Sequence, residues 1–296
     1  MKTKKLATAF AILAAALYAI NIPLSKLLLE HVETTMMAAF LYLGAGIGMF
    51  FYCTIGDLTG TRKKKERLTK DELPYTIAMV VLDIIAPILL MIGITKTNSA
   101  NVSLLNNFEI VATSLIALFI FKEVISKKLW LAIGLVTISS AILSFSDSDA
   151  FTFNAGSLFV LGACICWGFE NNCTKMLSSK SSEQIVIIKG CFSGLGSLIV
   201  ALILGEDIPA LKYILAILLL GFVAYGLSIN FYIMAQKDLG AAKTSAYYSV
   251  APFLGVAFSM LLLRERPALQ FYIALTIMIV STIVMTKDTM EQEKTT

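Results

Sequence analysis

Charge is scarce in this sequence. Lys, Arg, Asp and Glu together make up 15% of its 296 residues, against about a quarter in ordinary soluble domains, so too little charge is present to clothe a water-facing surface. Histidine occurs once, and the lone His31 offers no second imidazole for a zinc site or for His-based catalysis. The five cysteines, Cys53, Cys164, Cys166, Cys173 and Cys191, all lie in apolar stretches. Cys164 and Cys166 are two apart and so point to different faces of a helix, which excludes them as a local pair and favours small buried side chains over disulfides. No ATP-binding motif is present, and neither a metal nor a cofactor is expected.

What is abundant is apolar surface. It accounts for 57% of the residues, with a mean hydropathy of +0.81. Cutting the chain at its charged, Gly and Pro clusters leaves ten apolar segments near 6–29, 34–56, 74–94, 98–121, 128–146, 155–177, 184–205, 210–235, 241–263 and 268–286. Each is close to the roughly 20 residues a helix needs to cross about 30 Å of hydrocarbon. Backbone polar groups in lipid must be satisfied within the segment, and the alternation of a membrane barrel is absent. The expected fold class is therefore an all-α integral membrane protein with ten transmembrane helices. The first segment, after Met1-Lys-Thr-Lys-Lys, ends in Pro23, Ser25 and Lys26 without a small-x-small cleavage site, which predicts a retained helix rather than a signal peptide. The longest loop, Asp57 to Leu73, has 17 residues, too few for a soluble domain.

The loops set the orientation. With both termini in the cytoplasm, 18 of the 24 basic residues fall on that side, 5 fall outside and Lys189 lies within a helix. The cluster Arg62-Lys-Lys-Lys-Glu-Arg67 dominates the cytoplasmic count, as a topology determinant or an anionic-lipid site, while the loop Ser146 to Ala150 carries Asp147 and Asp149 and no base. The expected location is the cell membrane, multi-pass.

The chain also repeats itself. WGFENNCTK, from Trp167 to Lys175, echoes YAINIPLSK, from Tyr18 to Lys26, at an offset of 149, so that Asn21 matches Glu170 and Lys26 matches Lys175. A second alignment, at an offset of 142, pairs Ala100 with Ala242, Ser103 with Ser245, Lys122-Glu123 with Arg264-Glu265, Ala132 with Ala274 and Ser139 with Ser281. One insertion in the loop that holds the basic cluster reconciles the two. The result is two halves, 1–148 and 149–296, of five helices each. An odd number of helices per half inverts one half relative to the other, an architecture of secondary transporters in which the substrate site lies near the midplane.

Ten helices in two repeats, the aromatic-small pairs Tyr18-Ala19 and Trp167-Gly168, and the acids closing helices 4 and 9 in Phe121-Lys-Glu123 and Leu263-Arg-Glu265 resemble the drug/metabolite transporter superfamily, specifically its EamA-like members. Pro252 fits the proline of that family's ninth helix, whereas Ile110 stands at the equivalent place in the fourth, beside Glu109. The resemblance implies transport of amino acids, other metabolites, drugs or nucleotide sugars without naming the cargo.

Ionisable groups inside membrane helices are costly and face a cavity or a partner. Four stand out: Asp83, Glu109, Glu170 and Lys189. At 1.5 Å per residue, Glu170 and Lys189 lie at similar height on consecutive helices and could pair, or take part in substrate or proton movement. Asp83 and Glu109 lie roughly 13–18 Å from the cytoplasmic ends of their helices, where no basic residue shares their depth. Such carboxyls suit proton uptake or a cationic group, or else bond a neighbouring helix. Asn101, Ser103, Asn106 and Asn107 extend the polar set in helix 4, and Thr244, Ser245, Tyr247, Tyr248 and Ser249 occupy the matching stretch of helix 9. Amides, hydroxyls, aromatic faces and carboxylates suit a small amphipathic solute with an amino or other cationic group, although Asn and Ser also glue membrane helices. Lys26 and Lys175 read as snorkelling side chains, and Gly44, Gly48, Gly190 and Gly194 as sites of close helix packing.

The candidate substrate-binding or coupling residues are thus Asp83, Glu109, Asn101, Asn106, Glu170, Lys189, Tyr247, Tyr248, Trp167 and Asn21. An intramembrane enzyme would need a reactive set that isolated acids and one histidine do not provide. A channel would favour a repeated polar ring, yet the polar residues differ between the halves, and a receptor or scaffold would need no midplane acids. A secondary carrier for an amino acid or related metabolite uses every feature. An exporter of cationic amines or drugs, or a non-transport membrane partner protein, is the alternative. The expected partners are a small-molecule substrate, the lipid bilayer and protons, with no nucleic acid, in a monomer or homodimer.

Overall fold

Apolar residues in an unbroken run can satisfy their backbone only by coiling, and the computed structural model follows that rule. It describes residues 2–59, 67–120, 122, 126–144, 154–177, 180–239, 247–248 and 250–295. Most of the basic cluster (Arg62 to Glu66), Glu123, Asp147, Asp149, Thr244, Ser245, Ser249 and the side chain of Lys175 lie outside the described residues. The helices are α1 (Lys2–Ala19), α2 (Asn21–Leu28), α3 (Thr34–Leu58), α4 (Leu73–Lys96), α5 (Ser99–Leu105), α6 (Phe108–Phe119), α7 (Lys127–Ser144), α8 (Ala155–Leu177), α9 (Ser182–Ile188), α10 (Gly194–Ile203), α11 (Leu211–Gly221), α12 (Ser228–Leu239), α13 (Ala251–Leu263) and α14 (Leu269–Thr295), with no strand among the described residues.

Among the described residues, six helical runs are long and apolar enough to cross a membrane: Leu6–Leu28, Thr34–Leu58, Lys70–Lys96, Ser99–Phe119, Glu183–Ile203 and Leu211–Tyr232. The other four apolar segments of the sequence fall on α7, α8, α13 and α14. The outer surface is apolar. Leu58, Ile203 and Leu261 are 82%, 78% and 74% exposed, an arrangement that water would oppose and lipid accepts. This is a multi-pass membrane protein.

Among the described residues, four of the expected continuous helices are interrupted, two of them for a local reason. α1 gives way to α2 at Ile20, because Pro23 has no N–H to donate to the carbonyl of Ala19. α5 gives way to α6 at Asn106-Asn107, where the Asn107 side-chain amide donates to the Leu104 carbonyl at 3.3 Å and competes with the helical ladder. A π turn, Lys189–Ser193, joins α9 to α10, and a second, Phe222–Leu227, joins α11 to α12. Both π turns pack on α3.

Close packing around α3 depends on glycine. A methyl group on Gly44 would lie 2.2 Å from the Leu218 carbonyl oxygen, one on Gly190 would lie 2.3 Å from the Gly46 nitrogen, and one on Gly221 would lie 2.0 Å from the Leu41 carbonyl oxygen. Gly48 and Gly194 are also tight, 2.2 Å from the Phe222 ring and 2.6 Å from the Leu43 nitrogen by the same measure. The expected packing role of these glycines matches what is seen.

Positions paired by the internal repeat behave alike. Lys122 and Arg264 are the positive-φ non-glycine residues among those described, at 58° and 54°. The Ser139 hydroxyl donates to the Ala274 carbonyl at 2.8 Å and the Ser281 hydroxyl to the Ala132 carbonyl at 2.9 Å, and together they tie α7 to α14.

One end of the bundle is tied by charged side chains on backbone groups. Lys26 donates to the carbonyls of Ile94 and Thr97 at the end of α4, so it caps a helix C-terminus rather than snorkelling freely. Glu265 accepts from Ser99 N at 2.8 Å and Ala100 N at 2.9 Å, and Glu206 accepts from Thr35 N at 3.1 Å and Met36 N at 2.6 Å. Each carboxylate thereby caps a helix N-terminus, of α5 and α3 respectively.

Candidate functional site

α4 and α8 pack along their length. α4 brings Asp83 to this contact, four residues before Pro87, and α8 brings Trp167 and Glu170, three apart and so on one face. Lys189 is the first residue of the π turn between α9 and α10. A π turn inserts an extra residue and so rotates the helix on its N-terminal side relative to the helix on its C-terminal side, and such turns occur frequently at functional sites.

The result is a buried three-charge cluster. The Lys189 ammonium lies 3.1 Å from Asp83 Oδ2 and 3.1 Å from Glu170 Oε1. Asp83 is wholly buried and Glu170 is 2% exposed. Each carboxylate has one further donor: the Tyr42 hydroxyl donates to Asp83 Oδ1 at 3.0 Å, and the Thr174 hydroxyl donates to Glu170 Oε1. Trp167 Nε1 donates in turn to the Tyr42 hydroxyl at 3.4 Å. A buried ion pair needs such additional hydrogen bonds to offset the desolvation of its charges.

The pairing of Glu170 with Lys189 agrees with the sequence reading. The expectation that Asp83 has no basic neighbour does not. Height counted at 1.5 Å per residue places Cα atoms, whereas the flexible lysine stem carries its charge away from its own Cα and reaches a second helix. Glu109 keeps the separate position expected of it. It opens α6 and accepts from Asn171 Nδ2 at 2.6 Å, and that amide also reaches the Thr113 hydroxyl at 3.2 Å. No ion pair to Glu109 is seen among the described residues.

Beside the charges stands a tyrosine wall. Tyr225, in the second π turn, lies 5.8 Å from Tyr18 and 5.4 Å from Tyr42 between ring centroids; Tyr248 lies 6.0 Å from Tyr18 and 5.1 Å from Tyr232. Asn21 Nδ2 donates to the Tyr225 hydroxyl at 3.1 Å and its oxygen accepts from Ser25 at 3.2 Å, so Asn21 anchors this wall. Tyr247, 42% exposed, makes no ring contact among the described residues and stands apart from it. On α5, Ser103 and Asn106 share a face, while Asn101 projects from the other side; the side-chain oxygens of Ser99, Asn101, Ser103 and Asn106 are buried with no hydrogen-bond partner.

Two stretches of the chain, residues 5–145 and 154–287, each match the family model of the EamA-like transporter family. The chain belongs to that family. An uncharacterized transporter of Methanothermobacter thermautotrophicus is similar to this EamA-like chain, 26% identical over 273 residues, covering 86% of this chain and 78% of the relative. A protein of known crystal structure aligns over 94% of both chains with a TM-score of 0.68 and 15% identity, a likeness of fold alone. The chain is a membrane transporter.

Of the residues singled out in this EamA-like sequence, the structure joins Asp83, Glu170, Lys189 and Trp167 in one network and sets Asn21 and Tyr248 in the adjoining wall. Tyr42 and Tyr225 were not singled out, Tyr18 entered only through its pair with Ala19, and Asn171 only within the stretch WGFENNCTK. Asn171 carried a signal, as the second of three consecutive polar residues, Glu170-Asn-Asn172, in an apolar segment. Tyr42 and Tyr225 carried none, because tyrosine in a membrane helix is commonplace until its hydroxyl finds a partner.

Proposed function

We propose that this EamA-like protein is a secondary-active carrier that moves an amino acid or related small metabolite across the cytoplasmic membrane by alternating access, coupled to protons. The observation that carries the reading is the placement of one ammonium between two carboxylates, Lys189 with Asp83 and Glu170, on three separate helical elements. With both acids ionised, the cluster keeps one uncompensated negative charge, and a proton is the smallest ligand that removes it. Taking up that proton loosens one of the two ion pairs. Lys189 then stays with a single partner, and α4 and α8 are free to shift relative to the π turn.

Ten transmembrane helices in two inverted halves, 1–148 and 149–296, complete the proposal. The reciprocal bonds of Ser139 to Ala274 and Ser281 to Ala132 support it. Each donor and each acceptor is matched by the repeat, and the residue numbers run in opposite senses along α7 and α14, as a two-fold axis across the helices requires. The basic-residue count supports cytoplasmic termini. Export of cationic amines or drugs is the second reading for the cargo, favoured by the further carboxylate of Glu109, which no cation offsets among the described residues.

The test is flux of labelled amino acids into proteoliposomes with and without an imposed pH gradient. Gradient-driven accumulation is expected in the wild type and is expected to be lost in Asp83→Asn, with the protein still inserted. Accumulation that persists undiminished in Asp83→Asn and in Glu170→Gln would refute proton coupling at this cluster.

A further inference from the structure

The break between α1 and α2 has a feature that the charge cluster does not use. Ala19 ends α1, and Pro23, four residues on, has no N–H to offer its carbonyl. The other half of the chain treats the matching position differently. There Gly168 stands for Ala19 and Asn172 for Pro23, and the Asn172 side-chain amide donates to the Gly168 carbonyl at 2.8 Å. One half supplies its carbonyl with an extra donor; the other withholds even the ordinary one.

α5 borders the same place. Ser103 and Asn106, three apart, are 1% and 8% exposed, and Ser103 Oγ and Asn106 Oδ1 are both without a hydrogen-bond partner. Gly255 of α13 lies against both groups. The point at which a side chain on Gly255 would begin lies 2.9 Å from Ser103 Oγ and 3.5 Å from the Ala19 carbonyl oxygen, so hydroxyl and carbonyl flank the same glycine. Buried oxygens are nearly always satisfied, and two without partners a turn apart, Ser103 Oγ and Asn106 Oδ1, next to a carbonyl whose helical donor is missing, point to a ligand with donors or positive charge.

We infer that the Ala19 carbonyl, the Ser103 hydroxyl and the Asn106 amide oxygen form a subsite for a compact monovalent cation, either Na+ or the primary ammonium of the cargo. Only the ammonium arm rests on the transport reading above. The donor set fixes the class. Three neutral oxygens match the three N–H donors of a primary ammonium, and carbonyls at helix breaks beside hydroxyl and amide oxygens are hard ligands of the kind that hold Na+. A divalent ion would ordinarily draw on carboxylates, and a transition metal on nitrogen or sulfur, and neither is part of this set. Charge favours a monocation as well, because the Asp83, Glu170 and Lys189 cluster and Glu109 leave the interior net negative when ionised. Tyr18 adjoins Ala19 and, with Tyr225 and Tyr248, gives the apolar part of an amine an aromatic surface.

The test is the melting temperature of the detergent-purified protein in sodium chloride, methylammonium chloride and tetramethylammonium chloride at equal ionic strength. Tetramethylammonium has no N–H and is too bulky for the subsite, so it is the reference. Sodium, methylammonium or both should raise the melting temperature by about 3 °C or more over it, and which of them does so identifies the source of the cation. The rise should vanish in Ser103→Ala, in Asn106→Ala and in Pro23→Ala, which returns a donor to the Ala19 carbonyl. It should survive in Ser197→Ala, which removes another buried, unpartnered hydroxyl on α10. Equal melting in the three salts, or a rise that persists in all three subsite variants, overturns the subsite and leaves the carrier standing. A salt-specific rise without saturable flux sinks the carrier reading and leaves the subsite.

Discussion

Replacing Lys189 with methionine keeps most of the side-chain volume and removes the charge on which two buried carboxylates depend. Breaking a buried ion pair by deleting one partner costs about 3–5 kcal/mol, because the survivor is left charged, or must be neutralised, out of water. Lys189 has two partners at 3.1 Å, so its loss should fall at the top of that range. Glu170→Gln is different, since Lys189 keeps Asp83, and the cost should be nearer the roughly 1–3 kcal/mol of losing a charged hydrogen bond. At roughly 2–4 °C per kcal/mol, Lys189→Met should lower the melting temperature by about 10 °C or more, and Glu170→Gln by only a few degrees. A two-member pair predicts that Glu170→Gln with Lys189→Met recovers most of the loss. Three members predict otherwise, because Asp83 remains wholly buried with only Tyr42 to satisfy it. Recovery should then need the triple change, with Asp83→Asn added. The assay is a fluorescence melt of each variant in one detergent. Full recovery in the double variant, or a Lys189→Met no less stable than Glu170→Gln, would refute the three-member cluster.

Helix packing gives a second expectation: Gly44→Ala and Gly221→Ala, whose methyls would lie 2.2 and 2.0 Å from facing carbonyl oxygens, should each cost about 1–3 kcal/mol in the same melt, whereas Gly134→Ala, with nothing within 4 Å, should be neutral or slightly stabilising. Glu265→Ala should cost about 0.5–2 kcal/mol by uncapping Ser99 N and Ala100 N at the start of α5, with Glu265→Gln intermediate because it keeps an oxygen and loses the charge.

Read as a string of residues, the chain already specifies its solvent, its helical class and the side chains that lipid could not tolerate. A run of apolar residues with one buried acid has few ways to be stable, so Asp83, Glu109, Glu170 and Lys189 were legible as soon as the segments were drawn. The repeat was legible too, because Ser139/Ser281 and Ala132/Ala274 recur at one offset, and those four residues meet between α7 and α14. Pro23 was read only as part of the end of a continuous first helix, although its missing N–H is the reason that helix breaks. Which acids share the lysine was settled only by the packed fold. Periodicity and rise give height along one helix, but the rotation of that helix, and therefore its partner, depends on packing against its neighbours. The π turn at Lys189–Ser193 changes that rotation with no sequence signal of its own. The same holds for Tyr42 and Tyr225, whose part in the site exists only because α3 runs close beside the second π turn through glycines on both sides of the contact. Lys26 makes the point at the bundle's end: its place in the sequence puts a charge near the membrane surface, and the fold chooses which carbonyls it meets.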